Sequence, residues 1–395
     1  MVAGSETDFA VEPMAVSFLR VSCPLGPDSM GDASELQPGL SIEPRGGFRN
    51  ERAHTLSPRR ACRRTSRVDQ DGGAGITEGV FRGRSSQGTV EQMSGELIRV
   101  CIFLATVASV YYLAFRWLWV RWRRKPVESS VDRAFRHGAT GIPLLGTATL
   151  GGACIAYGFT FGPKRLTVIR YTLESAKIPA GERVRIVHLA DLHVREKGPR
   201  ERRLPDQIRE LEPDLILHTG DFFGAHGMEE TVKGLLRSWH VPQSVVMGNL
   251  DYLGDFDGVL RDAGVKDLNG AYALETVRGV TLCIAGVPCG AESGLPRVLA
   301  RTPPNVFTVV LCHAPSGFPE IWSSSADLML SGHTHGGQVC VPGYGALVTL
   351  DRYGKRFESG HYEENGAHLI VSRGIGCEPH LPEVRFWCPP RSRGL

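Results

Sequence analysis

Two histidines, His333 and His335, lie one residue apart in a short segment bounded by glycines. An apolar run at 328–330 precedes them, and Gly336 and Gly337 follow. On a regular strand the two rings would point to opposite faces, one buried and one exposed. On a tight turn at the end of a strand, both rings can instead converge on one point, as a metal ion requires. The segment alone leaves both interpretations open.

Four earlier segments place metal-binding types of residue directly after predicted strands. In chain order they contain Asp191 and His193, then Asp221, then Asn249 and Asp251, and then His313. Each is weak by itself, because Asp-x-His, Gly-Asp and Gly-Asn are common in surface turns and a lone histidine is usually structural. All five segments fall within the 145 residues from Asp191 to His335. An ordered set of this kind is difficult to assign to chance, and it favours a metal site at strand ends.

The ordered motifs D-x-H, G-D, G-N-x-D, H and G-H-x-H resemble those of the calcineurin-like metallophosphoesterase superfamily. The resemblance covers about residues 183–390. The sequence GHTHGGQ and the apolar segments before the domain resemble the membrane-anchored bacterial branch. This resemblance implies an α/β fold, a four-layer α/β/β/α sandwich of two mixed sheets preceded by N-terminal membrane helices. It also implies a metal-dependent phosphoesterase that acts on ester or pyrophosphate bonds.

The resemblance further implies two divalent metal ions and their ligands. The first ion would bind Asp191, His193 and His335, the second Asn249, His313 and His333, and Asp221 would bridge both. Carboxylate, imidazole and amide ligands suit manganese, iron or zinc rather than calcium, and manganese is favoured. Two ions about 3.5–4 Å apart can activate a water and hold phosphate oxygens during an in-line displacement.

Four of these polar residues are the catalytic candidates, namely Asp221, Asn249, Asp251 and His313. Asp251 is expected to orient a ligand or a backbone turn, and a helix N-cap is an equal alternative for it. Arg373 follows a predicted strand, so its guanidinium is a candidate contact for a substrate phosphate. An ordinary surface arginine is the alternative for Arg373.

One position departs from the superfamily pattern. Many members have a histidine directly after the motif asparagine, where it assists the leaving group, but this chain has Leu250. A general acid contributes about 10²–10⁴-fold, and a phosphate leaving group needs that help least. Three interpretations stay open: a good leaving group such as a phosphoanhydride, slow turnover, or a proton from His188, His218 or His226. His188 and His218 fall in predicted strands, which favours a structural role for both.

Leu250 and the apolar segments together indicate the class of substrate. Superfamily pyrophosphatases that split UDP-2,3-diacylglucosamine also lack the histidine, so a lipid-linked phosphodiester or phosphoanhydride is favoured. The alternatives are a phosphodiesterase or phosphatase for soluble substrates and a metal-binding membrane protein with little catalysis. A net charge of +3 is too small to indicate a nucleic-acid partner, and nothing in the sequence indicates the oligomeric state.

The elements that must position these residues follow an α/β pattern from about residue 183. Strands are predicted at 184–189, 215–217, 245–247, 306–311 and 327–330, helices at 205–211 and 229–239, and antiparallel strands within 272–287 and 347–371. Alternation of this kind places sites at the carboxyl ends of strands. The predicted phosphoesterase domain is 183–390, with a linker at 164–182 and a tail at 391–395.

A membrane region with one or two transmembrane helices is predicted at 96–163. Residues 100–120 are apolar apart from Arg116 and end in an aromatic and basic flank, which is typical of a span. A buried core helix is the alternative. Residues 139–162 are uncharged but rich in small residues, so a re-entrant or interfacial segment is the alternative there.

The basic loop between these segments bears on the topology. It contains Arg121, Arg123, Arg124, Lys125, Arg133 and Arg136, and the positive-inside rule places such a loop in the cytoplasm. Two spans would put the domain outside the cytoplasm, and one span would keep it inside. The sequence therefore predicts a cell-membrane (inner-membrane) protein with the side of its domain open.

Residues 1–95 are predicted to be disordered or a mis-assigned extension, because they show no apolar periodicity. Met93 stands immediately before the first apolar segment, so translation from Met93 is an alternative start. The ten cysteines contain no C-x-x-C pair, which excludes a zinc ribbon and gives no sign of a disulfide framework.

Overall fold

The computed structural model describes residues 14–23, 86–123, 129–137, 141–387 and 391–393. Two mixed sheets form its centre. The first sheet contains β1 (Met14–Ser22), β2 (Leu166–Glu174), β3 (Arg183–Leu189), β4 (Leu215–His218), β5 (Gln243–Val245) and β6 (Lys266–Asp267), in the spatial order β2-β1-β3-β4-β5-β6.

The remaining strands follow in the second half of the chain. They are β7 (Ala271–Val277), β8 (Val280–Val287), β9 (Phe307–Cys312), β10 (Leu328–Ser331), β11 (Cys340–Val341), β12 (Gly345–Ala346), β13 (Gly360–Glu364), β14 (Ala367–Val371) and β15 (Arg391–Arg393). The second sheet has the order β15-β13-β14-β10-β9-β8-β7, and β11 and β12 form a separate hairpin.

Seven α-helices are present in the described residues. They are α1 (Ser86–Trp122), α2 (Ser130–His137), α3 (Gly141–Thr160), α4 (Pro199–Glu210), α5 (Glu229–Arg237), α6 (Phe256–Ala263) and α7 (Leu295–Leu299). α4, α5 and α6 cover the outer face of the first sheet, and α7 with the 3₁₀ turn Pro315–Ile321 covers the outer face of the second.

Side-chain alternation along the strands produces the layers. In β3, Val184 and Ile186 pack toward the second sheet, while Val187 and Leu189 pack toward the helices. Because both faces of each sheet are covered, the strands are apolar on both sides. The predicted α/β class with two facing mixed sheets between helical layers is therefore confirmed.

Parallel pairing brings the candidate ligands to one edge of the sandwich. β3, β4 and β5 are parallel neighbours in the first sheet, and β9 and β10 are parallel neighbours in the second. The carboxyl ends of parallel neighbours lie at the same edge of a sheet. Each polar segment singled out in the sequence follows one of these five strands.

α4 begins earlier than predicted, at Pro199 instead of 205. Pro199 occupies the first helical turn, where a missing backbone N–H costs nothing, and the Glu201 carboxylate accepts a hydrogen bond from the backbone N–H of Gly198. Pro205 lies inside the helix instead of at its start. The first turn is rich in arginine and shows no apolar periodicity, so the sequence pattern missed it.

Two segments expected to lack structure contain strands of the first sheet. The predicted linker at 164–182 contains β2, and the predicted disordered region at 1–95 contains β1, which pairs in parallel with β2 and antiparallel with β3. Val16 and Phe18 of β1 pack toward the helices, and Leu19 and Val21 pack between the sheets. β1 has nine residues, three of them polar (Ser17, Arg20 and Ser22), so it is too short and too mixed to show periodicity against a polar background. The other residues of 1–85 lie outside the described residues.

α1 and α3 form an antiparallel hairpin whose two open ends rest on the α/β domain. Trp117 packs so closely on Gly141 that a side chain would not fit there. At the other end, the backbone N–H and hydroxyl of Thr349 donate to the buried Glu96 carboxylate, and the backbone N–H of Arg385 donates to the carbonyl of Gly158.

Two helical segments, Ser94–Trp122 and Gly141–Lys164, are long and apolar enough to cross a membrane. Only 6% and 11% of their most apolar windows are buried, which does not fit the buried core helix that was the alternative for the first. The second is one continuous helix over most of its length, which does not fit a re-entrant turn; an interfacial helix stays an alternative for it.

The placement of β1 predicts that Leu19→Ala destabilises the domain. Leu19 is fully buried between the sheets, and a buried leucine truncated to alanine costs about 2–5 kcal/mol. Thermal unfolding of the detergent-solubilised full-length protein measures the loss. Arg20→Ala, at the exposed neighbouring position, is the control and should change stability by less than about 0.5 kcal/mol. Equal stability of the Leu19 variant and wild type would show that β1 does not belong to the sheet.

Candidate metal centre

The first donor cluster lies between the ends of β3 and β10. Donor atoms of Asp191, His193 and His335 all lie within 4.8 Å of one another. The Nε2 atoms of His193 and His335 are 3.1 Å apart, and His335 Nε2 is 3.8 Å from Asp191 Oδ1. Asp191 Oδ2 is buried and accepts no hydrogen bond from the described residues. An acceptor oxygen left in this way beside two imidazole nitrogens fits a cation.

A second group of donors lies beside the first, and donor atoms of Asp191, Asp221 and His313 also lie within 4.8 Å of one another. Asp221 Oδ2 is 3.6 Å from His193 Nε2 and 3.4 Å from His313 Nε2. Asn249 Oδ1 lies 2.8 Å from His313 Nε2 and 3.0 Å from His333 Nδ1. Asp221 therefore stands between the two groups of donors, which is the position of a bridging ligand.

Several ring orientations are fixed by backbone carbonyl oxygens. His313 Nδ1 lies 2.6 Å from the carbonyl of Thr219, and His333 Nε2 lies 3.2 Å from the carbonyl of Leu350. A carbonyl oxygen can only accept, so the facing nitrogen of each ring carries a hydrogen. With an ion bound, Nε2 of His313 and Nδ1 of His333 would each present a lone pair to it. Without the ion, both nitrogens lie at hydrogen-bond distance from Asn249 Oδ1, and His313, whose pKa is raised, donates from Nε2.

Five of the seven candidate ligands have left-handed backbone conformations. They are Asp191 (φ 51°), His193 (φ 40°), Asp221 (φ 59°), His333 (φ 70°) and His335 (φ 51°). Non-glycine residues seldom adopt this conformation, and such residues cluster at functional sites. The left-handed turn breaks the strand alternation, which lets His333 and His335 both contribute to the centre.

Two glycines make room for the carboxylates. A Cβ atom at Gly248 would lie within 2.2 Å of Asp221 Oδ1, and one at Gly332 within 2.4 Å of Asp191 Oδ2. Any side chain at either position would displace the carboxylate. The glycines of the G-N-x-D and G-H-x-H segments are thus required by the close approach of backbone to ligand.

Burial sets the protonation of the histidines. Desolvation lowers the pKa of His193 and His333 to about 4 and lowers that of His335 as well, so these rings are neutral ligands at pH 7. Burial would lower the pKa of His313 too, but the adjacent Asp221 carboxylate raises it to about 10. The buried carboxylates thus attract positive charge to the point where a divalent cation fits.

A sequence model described as calcineurin-like phosphoesterase matches residues 184–337. The uncharacterized metallophosphoesterase YkuE of Bacillus subtilis is 31% identical over 276 residues, which cover 65% of this chain and 94% of that protein. The chain belongs to the calcineurin-like metallophosphoesterase family. It is therefore a metal-dependent phosphoesterase, in a family whose members generally bind two divalent metals.

Other relatives of this metallophosphoesterase match over similar lengths. An uncharacterized metallophosphoesterase of Aquifex aeolicus is 31% identical over 247 residues, covering 57% of this chain and 89% of that protein. Phosphodiesterase YaeI of Escherichia coli is 28% identical over 256 residues, covering 58% of this chain and 87% of that protein.

Asp251 of the metallophosphoesterase stabilises the backbone of the two loops that carry Asp221 and Asn249. Its carboxylate accepts hydrogen bonds from the backbone N–H groups of Asp221, Phe222 and Gly248 at 2.6–2.8 Å. It therefore orients backbone turns, as one of the two interpretations expected. The helix-cap alternative is wrong, because Asp251 begins a 3₁₀ turn and its carboxylate binds backbone outside that turn.

Leu250 occupies the position of the missing histidine and is buried. Its backbone N–H donates to Asp221 Oδ1 at 2.7 Å, so the residue orients the shared carboxylate, but its side chain carries no proton to donate. His188 and His218 are bonded within the first sheet, to Thr219 and Gln243 respectively. These contacts agree with the structural role that the sequence favoured for both.

Two arginines lie near the centre, and sequence reasoning identified one of them. Arg373 is buried and packs over Gly336, so the surface-arginine alternative is wrong, while its contact with a substrate phosphate stays a prediction. Arg385 is also buried, with a guanidinium nitrogen 3.3 Å from His335 Nδ1. It supports the ring edge opposite the cluster. Sequence reasoning missed Arg385 because it lies 50 residues beyond the histidine, in no recognised motif.

The shared position of Asp221 predicts that Asp221→Asn weakens binding of both ions, whereas His335→Ala weakens only the first. His335→Ala removes a ligand nitrogen, and Asp221→Asn removes the negative charge that both ions would share, so each substitution lowers affinity. Metal content after dialysis against manganese, measured by mass spectrometry, should fall from two ions per chain toward zero and one, respectively. His226→Gln, at an exposed histidine bonded to the carbonyl of Leu253, is the control. Full metal content in the Asp221 variant would contradict the bridging assignment.

Proposed function

We propose that this metallophosphoesterase is a membrane-anchored phosphohydrolase that cleaves phosphodiester or phosphoanhydride bonds of a lipid-linked substrate. Two divalent ions, with manganese favoured, would bind Asp191, His193 and His335 at one position and Asn249, His313 and His333 at the other. The main observation in support is that Asp221 Oδ2 lies 3.6 Å from His193 of one group and 3.4 Å from His313 of the other.

When bound, the ions would supply charge for the phosphoryl oxygens and lower the pKa of an attacking water. The protein's own contribution is to hold the metal ligands in position. Asp221 fixes the spacing of the two groups of donors, and Asp251 holds the Asp221 turn against the Gly248 turn. Because these groups are buried and bonded before substrate arrives, little reorganisation is needed during the reaction.

The preference for a good leaving group rests on Leu250. Its apolar side chain stands where many relatives of this superfamily have a proton donor, and His188 and His218 are engaged elsewhere. An alkoxide leaving group would depart without protonation by these residues, whereas a phosphate leaves without that help. This supports a lipid-linked phosphoanhydride over a simple alkyl ester. A substrate of the UDP-2,3-diacylglucosamine type would in addition require a metal centre that faces the cytoplasm.

The lipid-linked part of the proposal rests on the α1–α3 hairpin, whose open ends contact loops beside the metal centre. A phosphodiesterase that acts on soluble substrates is the second candidate. The name of the relative YaeI, a phosphodiesterase, favours diester chemistry without indicating a lipid. A metal-binding membrane protein with little catalysis remains the third outcome of the test.

A substrate panel tests the proposal. Full-length protein with manganese should hydrolyse lipid-linked diphosphates and activated aryl diesters faster than alkyl diesters. Leu250→His should raise the rate for alkyl diesters by about 10²-fold or more and change the rate for anhydrides little. Leu250→Gln, which has no general acid, is the matched control.

Two results of the panel would contradict the proposal. If wild type cleaved soluble alkyl diesters well and left every lipid-linked substrate intact, the soluble phosphodiesterase would replace it. If metal-loaded wild type cleaved nothing, the protein would be a binding protein.

The hairpin also predicts the side of the membrane. Both open ends contact the α/β domain, so the two helices cross together, and the basic loop between them lies on the opposite side. The positive-inside rule predicts a cytoplasmic loop, which supports a metal centre outside the cytoplasm. A reporter active only outside the cytoplasm, fused after residue 393, should be active, and the same reporter inserted at 126 should be inactive. The reverse pattern would place the centre inside, where a UDP-linked substrate is available.

A further inference from the structure

Four residues of mixed apolar, aromatic and basic character form a rim beside the metal centre. They are Tyr344, Leu350, Arg352 and Lys355. Tyr344 and Leu350 are 44% and 53% exposed, which is high for large apolar side chains, and Arg352 is exposed as well. The Lys355 ammonium lies 3.5 Å from the centre of the Tyr344 ring. Aromatic side chains paired with basic ones are typical of the membrane–water interface.

The rim is joined to the metal centre through its backbone. The carbonyl oxygen of Leu350 lies 3.2 Å from Nε2 of His333. Leu350 itself has a left-handed backbone (φ 55°), a conformation that is unfavourable for leucine. The loop thus keeps its carbonyl on a candidate metal ligand while the leucine side chain faces outward.

The rim is also joined to the helical hairpin. Thr349, the residue before Leu350, binds the Glu96 carboxylate of α1 through its backbone N–H and its hydroxyl, at 3.2 and 3.1 Å. The next two residues of α1, Leu97 and Ile98, are 64% and 58% exposed. The apolar surface of the helix therefore starts at the level of the rim.

The end of α3 reaches the same region. The backbone of Arg385 bonds to Gly158 of α3, and the neighbouring Phe386 bonds to Gln338 and Cys340, in the segment that follows the ligand His335. The rim, the metal centre and both open ends of the hairpin thus share one face of the domain. If α1 and α3 cross a bilayer, this face of the domain would lie against the bilayer surface.

We propose that the rim rests in the headgroup layer of an anionic lipid bilayer, so that a lipid phosphate reaches the metal centre without leaving the membrane. Leu350 and Tyr344 would enter the interface, and Arg352 and Lys355 would face anionic headgroups, which attract basic residues near the surface. The inference rests on the proposed function, and it adds the surface from which the substrate comes.

Photocrosslinking measures the contact independently of activity. Full-length protein carrying Leu350→p-benzoylphenylalanine is placed in nanodiscs of phosphatidylglycerol and phosphatidylcholine and irradiated. Mass spectrometry should find lipid adducts on the segment that contains position 350. Arg352→Gln combined with Lys355→Gln should lower the phosphatidylglycerol share of these adducts by about threefold or more. Leu274→p-benzoylphenylalanine is the matched control, because Leu274 is 49% exposed on β7, the edge strand of the second sheet.

Adducts at 350 but not at 274 support the rim. Equal yields at both positions, no lipid adduct at 350, or a crosslink at 350 to a second copy of the chain would each overturn it. Hydrolysis of a soluble aryl diester in the same discs separates the two proposals. If adducts form and no phosphoester is cleaved, the proposed function is wrong, but the contact between the rim and lipid is supported. If the diester is cleaved and no adduct forms, the proposed lipid contact of the rim is wrong, and the proposed function is unaffected.

Discussion

The Asp251 carboxylate is the contact on which the metal centre depends. It accepts three backbone hydrogen bonds from two loops, the one after β4 and the one after β5. Those bonds fix the left-handed turn at Asp221, and Leu250 then donates to Asp221 from the second loop. Burial and the nearby Asp221 charge raise the pKa of Asp251 to about 6, and the three backbone donors oppose that rise. The Asp221 carboxylate is thereby oriented before any ion or substrate binds.

The second sheet is joined to the same point by several cross-sheet bonds, and one of them links two turns that carry candidate ligands. The backbone N–H of His333 donates to Asp191 Oδ1 at 3.0 Å, which ties the turn after β10 to the turn after β3. Both histidines of that turn are left-handed. The close packing of the two sheets and the strained turn therefore act together, because each ion would take ligands from both sheets and neither sheet alone completes either set of donors.

Sequence reasoning identified the strands and the polar residues that follow them, because strongly apolar runs and ligand-type side chains are local signals. It could not identify the carbonyl oxygens of Thr219 and Leu350 or the guanidinium of Arg385, since these reach the centre through the fold. It also missed β1, whose nine residues find their apolar partners only after a separation of more than 140 positions along the chain. Local pattern carries no information about such pairings.

The central claim is that Asp221 is shared by two ions, and electron paramagnetic resonance of the manganese-loaded protein tests it most directly. Two manganese ions about 3.5–4 Å apart with a common carboxylate should give an exchange-coupled spectrum at two equivalents per chain. Asp221→Asn should lose that coupling. An isolated six-line signal that saturates at one equivalent would contradict the account, because it would mean that the two groups of donors serve a single ion.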